Sequence, residues 1–387
     1  MSDQATARSL LTASAVRDRA HEMLAIAEAG GLAEWRLDLS RLDAAADLTA
    51  ETVRLNYPDL KVPFHARWRH FVVDGRDLWA ERDKPSDPAA LGRAAFDLVI
   101  PSVLLDAGAG AAWRYRDAAT GAVLGRSEGL GVASLRFFES GAMSSDPADP
   151  LRADALGKVD AAMIGRAFQV TADNPLVGLE GRAALLHRLG EAVGRPGALF
   201  DIMARHAENG RLPAPVILEV LLQALGPIWP GRLSLGGVPL GDCWTHPAVD
   251  GFVPLHKLSQ WMSYSLIEPL EASGVTVTDV DGLTGLAEYR NGGLFVDLGV
   301  LVLKDPEDAG RAHPVDGPLV VGWRSLTVAL LDQLAPMVRD RLGVTAEDFP
   351  LARVLEGGSW AAGRRIAKAK RPDLSPPIAV ISDGTVF

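Results

Sequence analysis

The feature that most constrains the fold of this chain is an apolar period of three to four residues, which recurs along its length. In residues 254–303 the first half carries apolar side chains at this spacing, at Leu255, Leu258, Trp261, Met262 and Leu266. The same period predicts helices over 2–35, 49–56, 89–105, 127–140, 155–170, 179–192, 215–225, 318–342 and 359–370. Helical segments outnumber strand candidates, so the sequence predicts a mainly α fold with minor β structure.

The length of the chain allows more than one domain. With 387 residues it can bury a large core and can form two domains. Residues 226–254 are dense in Gly, Pro and Trp, which makes them the best candidate for an internal boundary. We therefore predict one compact, mainly helical unit over 1–387, or two helical lobes, 1–225 and 226–387, with the active site between them.

Composition and charge exclude several classes of protein. The formal net charge of −10 argues against general nucleic-acid binding, because phosphate neutralisation needs a basic surface. No run approaches the roughly 20 apolar residues of a membrane helix, and the N-terminus lacks the pattern of a secretory signal. The single cysteine, Cys243, fits a reducing compartment. We expect a cytoplasmic protein that binds neither nucleic acid nor membrane.

The candidate catalytic groups lie within residues 254–303. Lys257 lies on the predicted helix. After a loop, Asp279 or Asp281 is expected to cap a second helix, because a short carboxylate accepts the N–H groups of a first helical turn. An Asn-Gly-Gly run at 291–293 is expected to end that helix, with Asp281 and Glu288 on one side of it. We predict that the two helices form one wall of an active site.

The predicted wall suits one kind of bond cleavage. Gly282 and Gly285 lie on the same side as the acids, and glycine at such positions indicates that a bulky group approaches the backbone closely. A carboxylate beside a lysine can stabilise the oxocarbenium-like state through which a ribosyl C–N bond breaks. An acid–lysine pair is also typical of an ordinary surface ion pair, so the spacing alone leaves both interpretations open.

Two other segments are candidates for ligand contact. Residues 61–71 bring His65, Trp68 and His70 together, although a spacing of five residues makes the two histidines a poor metal pair on a helix. A small-residue loop joins Asp106 to Trp113 and could place a flat ligand against the indole. That loop lacks the spacing of a dinucleotide site and a Walker lysine, and a tight turn explains it equally well.

Several motifs together resemble the uracil-catabolism Urc4/urg3 family, formerly described as a domain of unknown function. They are VPFHARWRHF, LLDAGAGAAWRYR, VPLHKLSQWMSYSLIEPLE, DVDGLTGLAEYRNGGLF, VLEGGSWAAGR and the terminal SDGTVF, and the resemblance runs from about residue 10 to the last residue. It implies a place in the pathway that converts uracil to a nucleotide, opens its ring and releases urea. The step it implies is cleavage of a ribosylurea as its 5-phosphate.

A second resemblance implies a mechanism. The order of a lysine helix, Asp-x-Asp-x-Leu-Thr and acid-Tyr-Arg is similar to the queuosine 5′-phosphate N-glycosylase family. Those proteins are helical and related in fold to helix-hairpin-helix DNA glycosylases. The similarity implies that Lys257 and Glu288 lie at the catalytic centre, flanked by Asp279 and Asp281. That family has Asp where Glu288 stands, so the choice between Glu288 and Asp281 as the key carboxylate stays open.

The two resemblances together predict a hydrolase that cleaves N-ribosylurea 5-phosphate to urea and ribose 5-phosphate, with a small (phospho)ribosyl substrate as its partner and no cofactor or metal. The predicted catalytic residues are Glu288, Lys257 and Asp281, and the predicted substrate-binding residues are Asp106, Trp113, Asp279, Tyr289, Arg290, His65 and Trp68. Asp106 and Trp113 would hold the leaving urea, and Tyr289 with Arg290 would hold the 5-phosphate.

Two alternative functions belong to other classes. The first is a metal-dependent amidohydrolase that acts on the ureido group; it needs clustered ligands such as a His-x-His pair, which the sequence lacks. The second is a non-catalytic partner of another enzyme of uracil catabolism. An assay of free urea separates an enzyme from such a partner.

Overall fold

A computed structural model describes residues 2–106, 108–110, 112–229 and 231–381. The chain is mainly helical, with 54% helix and 11% strand, so the predicted fold class is confirmed. No helix in these ranges is both long enough and apolar enough to cross a bilayer. The helices are α1 (Asp3–Leu10), α2 (Ala13–Glu28), α3 (Leu42–Asn56), α4 (Pro88–Leu104), α5 (Arg126–Glu139), α6 (Ala161–Ala167), α7 (Leu179–Val193), α8 (Ala198–His206), α9 (Ala214–Leu225), α10 (Lys257–Ala272), α11 (Tyr289–Asp297), α12 (Pro318–Leu342), α13 (Leu351–Arg353) and α14 (Trp360–Lys370).

The strands are short, and within the described ranges they form two-stranded sheets. The strands are β1 (Trp35–Leu37), β2 (Val72–Val73), β3 (Arg76–Asp77), β4 (Tyr115–Arg116), β5 (Val123–Leu124), β6 (Arg211–Pro213), β7 (Ser234–Leu235), β8 (Val238–Pro239), β9 (Cys243–His246), β10 (Val249–Pro254), β11 (Thr276–Thr278), β12 (Leu301–Leu303), β13 (Ala312–Pro314) and β14 (Ala379–Ile381). The pairs β6–β11 and β13–β14 are parallel, and the pairs β1–β12, β2–β3, β4–β5, β7–β8 and β9–β10 are antiparallel.

The chain forms two compact units, each built from separate stretches of sequence. The first unit comprises Met1–His65, Arg232–Gln260 and Asp279–Phe387, and the second comprises Ala66–Gly231 and Trp261–Thr278. Helix α10 therefore begins in the first unit and continues in the second. The lobes 1–225 and 226–387, with a site between them, stay a prediction.

The first unit is built around α12. Its apolar side chains, among them Trp323, Leu326 and Leu330, are at most 1% exposed, and the helix packs against α2, α3 and α11. A proline at its first residue has no N–H to satisfy, and Gly343 ends it in the left-handed conformation at φ +72°. These local signals explain why the predicted bounds of this helix match the observed ones.

The second unit is built around α4, which packs against α5, α7 and α8. Its second half is fully buried from Phe96 to Leu104 and includes Pro101 within the helix. A charged residue of α7, Arg182, belongs to this core. Arg182 is 3% exposed and its Nε donates to the Leu105 carbonyl at 3.2 Å, because a guanidinium can enter a core where backbone acceptors meet it.

The helix that was expected to begin after Asp279 or Asp281 and to end at residues 291–293 is wrong. Residues 280–282 form a single 3₁₀ turn, and α11 begins only at Tyr289, close to where the predicted helix was expected to end. The Asn-Gly-Gly run lies inside α11 instead of ending a helix. A Cβ at Gly292 would lie 2.7 Å from the indole nitrogen of Trp323, so this glycine serves close packing against α12 and not helix termination.

Candidate active site

Glu288 is the N-cap of α11. Its Oε2 accepts the Arg290 N–H at 2.7 Å and its Oε1 accepts the Asn291 N–H at 2.5 Å. The residue is 6% exposed. Each carboxylate oxygen therefore accepts one amide of the first helical turn, where the helix dipole favours a negative charge. The start of α11 fixes both the place and the orientation of this carboxylate.

The surroundings of Glu288 shift its pKa in opposite directions. Burial raises the pKa of Glu288 above the ordinary value of a carboxyl group. The positive charge of Lys257, the two backbone N–H bonds and the charge of His65 oppose that rise without cancelling it. A buried acid with a raised pKa and a cationic neighbour is typical of catalytic sites. The charge of Lys257 thus acts on Glu288, and a shared catalytic role for the two residues stays a prediction.

Lys257 is held at the start of α10 by a largely buried acid. Its backbone N–H donates to Asp242 Oδ2 at 2.9 Å. Arg324, which is 1% exposed, donates to both Asp242 oxygens, at 2.8 and 2.7 Å. Burial alone would raise the pKa of Asp242, but Arg324 and hydrogen bonds from Trp244 and Lys257 together lower it well below its ordinary range. An ionised Asp242 therefore anchors the backbone of Lys257 at the start of α10.

A histidine–glutamate pair belongs to the same unit. His65 Nδ1 lies 2.6 Å from Glu356 Oε2, and His65 is 8% exposed. The ring centroids of His65 and Trp360 are 5.9 Å apart. The sequence predicts His65 as a ligand contact but gives no role to Glu356 or Trp360. The imidazole is held on two sides, by a carboxylate and by an indole.

Asp281 has a structural environment. Its Oδ2 accepts from Arg339 Nη2 at 2.7 Å, and its Oδ1 accepts the Leu351 N–H at 2.6 Å. Both carboxylate oxygens thus tie the 3₁₀ turn to α12 and α13. A catalytic role for Asp281 stays a prediction, and of the two candidate carboxylates the proposal below uses Glu288. Asp279 is exposed at φ +50° with no side-chain cap bond, so the expected capping role is wrong for it, and binding by it stays a prediction.

Gly285, which lies between Asp281 and Glu288 in the sequence, does not make room for a ligand. A Cβ on Gly285 would lie 2.6 Å from Leu331 Cδ1, so a core leucine of α12 fills the space beside it. The close approach that the sequence predicts therefore exists, but the approaching group is part of the chain.

Tyr289 and Arg290 contact each other. The Arg290 guanidinium lies 4.7 Å from the centroid of the Tyr289 ring, and Arg290 Nη1 donates to the Leu374 carbonyl at 3.0 Å. Arg290 is 5% exposed. Its guanidinium thus holds the segment after α14, and phosphate binding by the two residues stays a prediction.

The other predicted contacts lie in the second unit, where Asp106 pairs with a buried arginine. Asp106 Oδ1 lies 3.1 Å from Arg67 Nη1, and Arg67 is fully buried. Burial lowers the pKa of Arg67, and the charge of Asp106 opposes that shift. Residues 107 and 111 of the adjoining loop lie outside the described residues. Urea binding by Asp106 stays a prediction.

The two predicted tryptophans differ in their surroundings. Trp113 is 0% exposed and donates its indole N–H to the Phe168 carbonyl at 3.0 Å, so it is a core residue, and ligand binding by it stays a prediction. Trp68 donates to the Ser265 carbonyl at 2.7 Å and, with Trp79 and Glu268, lines a cleft of about 200 Å³. No group of three or more His, Cys, Asp or Glu side chains within the described ranges is arranged to hold a metal ion.

The fold and the site define a mainly helical protein in which the buried Glu288 lies at the start of α11 and Lys257 lies at the start of α10. The family model "Protein of unknown function (DUF1688)" matches residues 9–387, and the chain belongs to this family. It is 40% identical to "Protein urg3" of Schizosaccharomyces pombe, over 99% of each chain. It is 37% identical to "Uracil catabolism protein 4" of Lachancea kluyveri, over 91% of this chain and 92% of the relative.

Proposed function

We propose that the chain is a hydrolase of uracil catabolism that cleaves the N-glycosidic bond of N-ribosylurea 5-phosphate. The observation that carries the proposal is the buried Glu288 carboxylate, fixed by two backbone amides and electrostatically coupled to Lys257. Similarity to a relative named for uracil catabolism over nearly the whole chain supports the pathway. The relation to queuosine 5′-phosphate N-glycosylase and to helix-hairpin-helix glycosylases stays a prediction.

The reaction separates charge at the anomeric carbon. The C1′–N bond breaks, and its electron pair leaves with the urea nitrogen, which gains a proton. The positive charge is shared by C1′ and the ring oxygen. A carboxylate below the ring stabilises this cation, and a positioned group of fixed charge contributes on the order of 3 kcal/mol to such a step. Water then adds to C1′ and gives its proton to Glu288, which yields ribose 5-phosphate.

Lys257 has a supporting role in this proposal. Its charge favours the ionised form of the buried Glu288 carboxyl group, whereas burial by itself favours the protonated form. In this proposal Glu288 both stabilises the cation and accepts the proton from water. Lys257 influences the fraction of molecules in which Glu288 is ionised.

Product analysis with the purified full chain tests the proposal. We expect N-ribosylurea 5-phosphate to give urea and ribose 5-phosphate in equal amounts, and we expect the rate to be unchanged after treatment with EDTA. Release of ammonia and carbon dioxide instead of urea, with loss of activity after chelation, would favour the metal-dependent amidohydrolase. If substrate is not consumed at all, the chain is not the hydrolase, and a non-catalytic partner remains.

A further inference from the structure

We propose that His65 is the general acid of this reaction and that Glu356 is the residue that positions it. The inference rests on the proposed function of Glu288 and adds the group that protonates the leaving urea. A urea nitrogen is a poor leaving group as an anion, so a proton must reach it as the C1′–N bond breaks.

The pairing of His65 and Glu356 has the geometry that orients an imidazole for proton transfer. The Nδ1–Oε2 distance of 2.6 Å is that of a short hydrogen bond. A carboxylate at Nδ1 fixes the proton on that nitrogen and the orientation of the ring. Transfer to and from a substrate then falls to Nε2. With 8% of His65 exposed and Trp360 beside it, the ring has little freedom to turn.

A chain of hydrogen bonds connects the segment that carries Glu356 to the Glu288 cap. Glu288 accepts the Asn291 N–H, and the Asn291 side-chain oxygen accepts from the Ser359 hydroxyl at 2.8 Å. Ser359 and Asn291 are both 0% exposed. Ser359 is the last residue of the segment 354–359, which also carries Glu356. The hydrogen bond from Ser359 to Asn291 therefore links the position of Glu356 to the start of α11. The charge of His65 also acts on Glu288.

The segment that carries Glu356 has an irregular backbone. Residues 354–359 are π-helical between α13 and α14, and π-helical turns occur frequently at functional sites. Two glycines let this wide turn pack closely. A Cβ on Gly357 would lie 2.9 Å from Val62, and a Cβ on Gly358 would lie 2.6 Å from Thr49. Val62 is three residues before His65, so this packing brings the segment with Glu356 against the segment with His65.

The proton balance assigns a distinct role to each group. In the first step the His65 imidazolium gives its Nε2 proton to the urea nitrogen, and the C1′–N electron pair becomes the nitrogen lone pair. In the second step water attacks C1′ and Glu288 accepts its proton. The exchange of one proton with solvent by each residue then restores the starting state.

Substrates with different leaving groups test the proposal. N-ribosylurea 5-phosphate needs a proton on its leaving group, whereas 4-nitrophenyl ribofuranoside 5-phosphate does not. We expect His65→Gln to slow urea release about 100- to 1000-fold but to slow nitrophenol release only a few-fold. Glu356→Gln should show the same split with a smaller loss, about 10- to 100-fold. Glu288→Gln should be slow on both substrates.

Controls make the outcome decisive. His21 pairs with Asp332 at 3.0 Å on an exposed part of the same unit, so His21→Gln removes a similar pair and should keep wild-type rates. Thermal melting of each variant separates loss of fold from loss of catalysis. If His65→Gln and Glu356→Gln slow both substrates equally, or slow neither, the proposal is wrong. If wild type itself releases no urea, the proposed function has failed, which is a different result.

Discussion

Glu288 and Asp242 are acids withdrawn from solvent in the same unit, but their surroundings give them different properties. Asp242 receives a bidentate guanidinium and stays ionised, with a pKa far below its ordinary range. Glu288 receives two backbone amides and the charges of Lys257 and His65, and its pKa is raised. Two carboxyl groups with pKa values pushed apart indicate different roles. Asp242 is suited to anchoring a helix, and Glu288 is suited to exchanging a proton.

Replacing Lys257 should change the pH dependence of the reaction. Its charge lowers the pKa of Glu288 against the effect of burial, so Lys257→Met should raise that pKa further. The ionised fraction of Glu288 at acidic pH then falls, and the acid limb of kcat/KM should move to higher pH. Lys257→Arg keeps the charge and should leave the limb near its wild-type position. Rate measurements between about pH 5 and 9 check this, and an acid limb that does not move in Lys257→Met would count against the coupling.

At the residue scale the sequence predicts the site only in part. Lys257 and Glu288 follow from the resemblance in the order of motifs, and a catalytic role for them stays a prediction. The partners of the candidates could not be predicted, because they lie far away in sequence. His65 and Glu356 are separated by 291 positions, and the pairing of Asp281 with Arg339 spans 58. Without those partners, a carboxylate in a structural ion pair and a candidate catalytic carboxylate cannot be told apart from the sequence.

At the scale of elements, the site depends on how closely α14 crosses α11. Gly363 of α14 lies against the backbone of Arg290, two residues after the Glu288 cap. A Cβ at this glycine would be 2.1 Å from the Arg290 carbonyl oxygen. Because the neighbour is backbone and not the end of a flexible side chain, any larger residue must move one of the helices.

A pair of glycine substitutions tests this crossing. Gly363→Ala should lower the free energy of unfolding by about 1–3 kcal/mol and should impair urea release, since it displaces the start of α11. Gly181 lies in α7, and a Cβ there would have no atom within 4 Å. Gly181→Ala should therefore stabilise the protein by roughly 0.5–1 kcal/mol. Denaturant melts monitored by circular dichroism measure both, and equal stability of the two variants would contradict the close crossing.

The elements that the sequence predicts well are those with strong local signals. Helix α12 has a long apolar period, proline at its start and glycine after its end, and its predicted bounds match. The error at 279–291 has a tertiary cause, since Asp-x-Asp and Asn-Gly-Gly imitate a helix cap and a helix stop. Packing against α12 places glycine inside α11, and a glutamate, which is not a preferred capping residue, begins that helix.

At the scale of the whole molecule, the units interleave in sequence. The pairing of β1 with β12 joins Trp35 to Leu303, and the N-terminal 65 residues belong to the unit that carries Glu288. Periodicity could not predict this arrangement, because strand pairs of three residues carry little signal of their own. The relatives align over 99% and 91% of the chain, so both units are part of what the family shares.

The most direct test of the proposed role of Glu288 compares two glutamate variants, one at the buried Glu288 and one at the partly buried Glu139. Glu288→Gln removes the charge below the sugar, whereas Glu139→Gln removes a carboxylate that pairs with Arg82 and Arg136 in the other unit. We measure urea released from N-ribosylurea 5-phosphate, with thermal melts to confirm that both variants are folded. The account predicts a loss of about 100- to 1000-fold for Glu288→Gln and a rate within a few-fold of wild type for Glu139→Gln. A folded Glu288→Gln variant that releases urea at the wild-type rate would contradict it.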